Sequence, residues 1–77
     1  MQRQLRRKFH APLALRDGRA IETLAGARLL LLSLPEARRR HPHWQYAATM
    51  LAAAERGESL VAAAGQLRLA LIAEGLM

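Results

Sequence analysis

The stretch APLALRDGRAIETLAGARLLLLSLP, residues 11–35, changes its hydrophobic period partway along. The first part alternates, with Leu13 and Leu15 apolar before Asp17-Gly18 and Ile21 after it, which is the pattern of a short hairpin. Gly18 supplies the positive φ that such a turn needs. Pro12 cannot donate to a ladder and so belongs at the start of the first strand or on an edge. From Thr23 onward the period becomes helical: Leu24, Ala27, Leu30, Leu31 and Leu34 form one broad apolar stripe. The Thr23 hydroxyl can accept an orphan amide of the first turn, and Pro35 ends the helix by disfavouring helical geometry at Leu34. Leu29 and Leu32 fall outside the stripe.

Two further helices follow. Pro42 suits the first position of one and Gly57 the position past its end, which predicts a helix over about 42–56 with Trp44, Ala47, Ala48, Leu51 and Ala54 on one side. Ser59 caps the other, which reaches about Ala73 and stops at Gly75. Leu60, Ala63, Ala64, Leu67 and Leu71 make its inner stripe, yet Val61, Gly65, Leu69 and Ile72 carry apolar surface on around the side. Beyond the cap, Gln66, Arg68 and Glu74 are its clearly polar residues. The expected fold is α+β and mostly helical: a short N-terminal β-hairpin followed by three α-helices, one domain over residues 9–77. Residues 1–8, MQRQLRRK, hold Arg3, Arg6, Arg7 and Lys8 with no acid, and read as a flexible basic arm.

A chain of 77 residues has room for one core, and with 52% apolar but only 4% aromatic residues that core must be leucine and alanine. The lack of cysteine excludes disulfides and thiolate metal sites and fits a reducing compartment. The basic start is not followed by a signal-like apolar run, and LLLLSL is far short of the roughly 20 residues that cross a bilayer. A soluble cytoplasmic protein without a membrane partner is expected. The net charge is +6, and every cation but Lys8 is arginine. Arginine's planar fork suits phosphate and carboxylate, although a GC-rich genome yields the same usage.

The order of these elements resembles the small bacterial family known as domain of unknown function 982. The matching features are a proline-containing first strand, APLAL; a short turn, RDGR; and a capped helix closed by proline, ETLAGARLLLLSLP. A basic loop, an alanine-rich helix and a glycine break, ARRRHPHWQYAATMLAAAERGES, then lead to LVAAAGQLRLALIAEGL. The resemblance covers about residues 9–75 and implies the hairpin-and-helices fold. Where the family tends to have Trp-Pro at the end of its first helix, this chain has Leu34-Pro35. The family has no established activity, so no functional residue is implied.

The segment RRRHPHWQY, residues 38–46, draws attention for ligand binding. As a metal site, His41 and His43 are incomplete, because the chain offers no cysteine and, in sequence, no nearby acid except Glu36. No metal and no cofactor is therefore expected. As an anion site, Arg38, Arg39, Arg40, His41 and His43 would surround the amide end of the second helix, where an anion offsets the clustered cations. The alternative is one extra helical turn over PEARRR, with the arginines at its end and Glu36 and Arg40 in the favourable i,i+4 order. Trp44 reads as a core anchor at helical spacing rather than a base-stacking platform.

Three function classes follow. The leading expectation is a non-enzymatic protein-interaction module, its partner an unidentified protein or a second copy of the chain, with Leu29, Leu32, Val61, Leu69 and Ile72 as interface candidates. The alternative expectation is sequence-independent nucleic-acid binding, with Arg6, Arg7 and Lys8 of the arm and the Arg38–His43 loop contacting phosphates. Sequence-specific reading is disfavoured, because the third helix offers chiefly Gln66 and Arg68. No enzyme is expected: Ser33 and Ser59 have no evident base, Asp17 sits in a turn, and no glycine-rich phosphate loop is present.

Overall fold

Asp17 builds the turn that starts the fold. In the computed structural model, which describes residues 4–77, its Oδ1 accepts the Arg19 amide at 2.9 Å and its Oδ2 accepts Arg19 Nε at 2.7 Å. These two bonds, the backbone one first, hold the Asp17 carboxyl below its ordinary pKa. Gly18 takes a φ of 93°. The turn joins β1 (Lys8–Ala14) and β2 (Ala20–Thr23) into an antiparallel two-stranded sheet. Leu13 pairs with Ile21 and Ala14 with Ala20, but at the far end Lys8 pairs with Thr23. β1 thus carries extra residues around Pro12, and a proline there forfeits no ladder bond.

Thr23 then caps α1 (Leu24–Ser33), accepting the Gly26 amide at 3.2 Å. Leu34 is extended, as the residue before proline must be, and Glu36–Arg39 form a single helical turn, α2. α3 (Pro42–Glu55) opens on proline, and α4 (Leu60–Ala73) is capped by Ser59, which accepts the Ala62 amide at 3.1 Å. The fold is α+β, with the hairpin followed by three long helices and the one-turn α2 between the first two. Among the described residues no helix is long and apolar enough to cross a membrane.

α3 is the centre of the bundle. It packs most closely against α4 and also against α1, while β1 lies on α4 and β2 on α1. Ala47 and Ala54 of α3 and Ala63 and Ala70 of α4 are fully buried, with Leu51, Leu67 and Leu71 between them. Small side chains in the seam let helix axes approach toward the short end of the roughly 8–10 Å range. Phe9, Leu13 and Ile21 of the hairpin are buried in the same core, as are Leu24 and Trp44.

The domain begins earlier than residue 9. Lys8 opens β1, and from Gln4 onward the segment expected as a free arm is hydrogen bonded to the body: Leu24 and Ala25 donate amides to Arg7 and Leu5, and Gln4 donates its own to Glu55 at 2.7 Å. The physical reason is a match of orphan groups. The first turn of α1 needs acceptors and the last turn of α3 needs donors, and the segment supplies both. Residues 1–3 of the expected arm lie outside the described residues.

Candidate functional site

All five interface candidates are solvent-facing. Leu29 and Leu32 on α1 are 69% and 62% exposed, and Val61, Leu69 and Ile72 on α4 are 78%, 60% and 51% exposed. The hairpin packs β2 on α1 and β1 on α4 and leaves these flanks exposed. At 100° per residue Val61, Gly65, Leu69 and Ile72 fall within about 80° of one another, so they form a single outward face. Arg68 is the charged residue at its edge. Gly65 lies in the middle, exposed, and a Cβ added there would meet no atom of the described residues within 4 Å. Tyr46 on α3, 65% exposed, is an outward aromatic that the sequence reading left unassigned.

The cationic candidates do not form one patch. Arg7 Nη1 donates to the carbonyls of Ala54 and Glu58 at 2.9 and 2.7 Å, at the C-terminal end of α3. Arg38, Arg39, Arg40, His41 and His43 sit at its N-terminal end. Fourteen residues of helix separate the two groups by about 20 Å. Arg40 Nη2 donates to Glu36 Oε1 at 3.0 Å across one turn, in the arrangement expected for a helical PEARRR. Arg6, Lys8 and Arg39 are exposed, and among the described residues no ion pair engages them.

The histidines meet an acid that their sequence neighbourhood hides. Glu74, at the C-cap of α4, reaches back to the start of α3. Its Oε1 accepts Trp44 Nε1 at 3.1 Å and lies 3.2 Å from His43 Nε2, and its Oε2 is 3.5 Å from Arg38 Nη1. The indole N–H first and the His43 ring second hold the Glu74 carboxyl below its ordinary pKa, with the charges of Arg38 and His41 adding to them. The His41 and His43 rings stack at 5.4 Å, and Gln66 Nε2 donates to the His43 carbonyl at 3.4 Å. This corrects the expectation that Glu36 is the one acid within reach. No local signal marks Glu74, since it lies 31 residues beyond His43. Trp44 is 1% exposed and anchors the core, as its helical spacing indicated.

A third feature is a groove of about 510 Å³ between α1 and α3, lined by Leu31, Leu32, Ala48 and Leu51 among others. Glu55 lines it, nearly buried, and takes Arg28 Nη1 at 3.5 Å. Ser33, weighed as a nucleophile, donates its hydroxyl to the Leu30 carbonyl at 2.6 Å, and Ser59 is occupied as a cap. No family model, curated protein or solved structure matches the chain.

Proposed function

We propose that the chain is a non-enzymatic protein-interaction module that pairs with a second copy of itself across the outer face of α4. The observation that carries this reading is the exposure of Val61, Leu69 and Ile72 on one helical face beside a central Gly65. A helix that is apolar all round normally buries all of its surface. α4 buries one side inside the chain and leaves the other apolar side in water, which disfavours the isolated chain at about 25 cal/mol for every Å² left wet.

The face suits itself as a partner. Beside Arg68 it carries no charge to specify a complementary surface of another kind. Val61 and Leu69 are spaced equally on either side of Gly65, so an antiparallel crossing at Gly65 sets Val61 of each copy against Leu69 of the other. The two Arg68 side chains then stand about 9 Å apart along the axis, at 1.5 Å per residue, instead of side by side as in a parallel pair. Glycine at mid-helix is unfavourable relative to alanine by about 1 kcal/mol, and among the described residues no atom requires it at position 65. Close approach of a second helix accounts for it. Phosphate-backbone binding ranks below this reading, because Arg7, Arg38 and Arg40 are engaged within the chain and the arm cations lie at the far end of α3 from the loop.

Sedimentation equilibrium over a wide concentration range tests the proposal. The expected result is a monomer–dimer equilibrium for the wild type and a monomer of unchanged helicity for Leu69→Glu. A wild type that stays monomeric throughout, or a Leu69→Glu variant that associates equally well, contradicts it.

A further inference from the structure

We infer that His41, His43 and Glu74 form a binding site for a divalent transition-metal ion of the Zn²⁺ class, which fastens the start of α3 to the end of α4. Each residue offers one ligand atom, and these atoms lie within 4.8 Å of one another. Ligands about 2.0–2.1 Å from a tetrahedral or octahedral ion stand roughly 2.9–3.4 Å apart. The separation of His43 Nε2 from Glu74 Oε1, 3.2 Å, already falls in that range. An ion can therefore enter between these two atoms and replace their hydrogen bond, taking neutral His43 through Nε2 in the tautomer that carries its one ring proton on Nδ1. His41 is exposed, so its ring can turn the remaining distance without disturbing the core.

The surroundings hold this pair in place. Trp44 Nε1 donates to Glu74 Oε1, and Trp44 is itself fixed in the core. Gln66 donates to the His43 carbonyl and ties the ligand-bearing turn to α4. Such outer contacts orient the ligands of metal sites and raise their affinity. Two imidazoles and one carboxylate select Zn²⁺, Ni²⁺ or Cu²⁺ over Mg²⁺ and Ca²⁺, which take oxygen ligands, and they leave at least one position for water or an incoming donor. Arg38, 3.5 Å from Glu74 Oε2, opposes the ion's charge. Its removal is expected to tighten binding.

Trp44 is the chain's single tryptophan, and its ring lies 5.8 Å from that of His43, so its emission reports on this site. The test titrates Zn²⁺ by calorimetry and Cu²⁺ by Trp44 quenching into the purified chain and into His41→Ala, His43→Ala, Glu74→Gln, Arg38→Gln and His10→Ala. The expected result is saturable binding with one ion per chain. It is lost in the three ligand variants, retained in His10→Ala and tighter in Arg38→Gln, and Zn²⁺ raises the melting temperature of the wild type by mass action. His41→Ala decides the matter if the other ligand variants fold poorly, because His41 is exposed. Absence of saturable binding, binding unchanged in His41→Ala, or binding that requires His10 overturns the inference and leaves the histidines as partners of Glu74 alone.

Discussion

The two sides of α4 are built from nearly the same residue types and meet opposite fates. One side, Ala63, Leu67, Ala70 and Leu71, is fully buried against α3 and β1, while the other, Val61, Leu69 and Ile72, stands more than half in water. Alanine separates the two physically. The inner side alternates Ala with Leu at the spacing that fits the Ala47 and Ala54 seam of α3, so backbones can approach. The outer side has a β-branched residue at each end and finds no facing element among the described residues. Hydrophobicity alone therefore does not say which side of a helix the fold will claim; the complementary side of its neighbour does.

The contrast can be broken or sharpened by substitution, beginning with the largest effect. Leu67→Ala, on the inner side, is expected to lower unfolding free energy by about 2–5 kcal/mol, read from urea denaturation, because the seam cannot collapse into the space. Ser59→Ala removes the cap shared by both sides and is expected to cost about 1 kcal/mol by the same measurement. Gly65→Ala should stabilise the dilute monomer by about 0.5–1 kcal/mol, since its methyl meets open space, while weakening self-association. Leu69→Ala, on the outer side, should alter monomer stability by no more than about 0.5 kcal/mol. If Leu67 and Leu69 respond alike, the two sides are not distinct.

The smallest effect concerns the acid that closes the end of α4. Glu74 has its pKa held below the ordinary value of 4.5, chiefly by the Trp44 indole. Its contribution to stability is thus present above that value and is lost as the pH falls through the lower value of the folded chain. In EDTA, the melting temperature of the wild type should decline more steeply over that acid interval than that of Glu74→Gln, which keeps an acceptor for Trp44 but does not titrate.

Most of the fold was legible because its punctuation is local. Asp17-Gly18, Thr23, Pro35, Pro42, Gly57 and Ser59 each act on backbone groups within a few residues, and each stands where its chemistry indicates. The helical turn at Glu36–Arg39, open between two readings in sequence, was decided by the same i,i+4 logic. What was not legible depends on residues far apart. Arg7 and Gln4 look like members of a solvated basic arm until the carbonyls of Ala54, Glu55 and Glu58, 47 to 51 residues away, claim them. Glu74 likewise looked like a helix-end polar residue. The exposed leucines could be named as surplus from periodicity, but that the hairpin leaves them uncovered follows only from where β1 and β2 pack.

Cysteine cross-linking tests the central claim most directly, because the natural chain has no cysteine to interfere. Val61→Cys and Leu69→Cys chains are mixed in equal amounts, oxidised under mild conditions and resolved by mass spectrometry, with Asp17→Cys in the exposed turn as the reference for random collision. Antiparallel pairing of α4 faces predicts that disulfides joining position 61 to position 69 form first and well ahead of the reference. Cross-links no faster than those of Asp17→Cys would contradict the account, and the outer side of α4 would then be an unpaired surface.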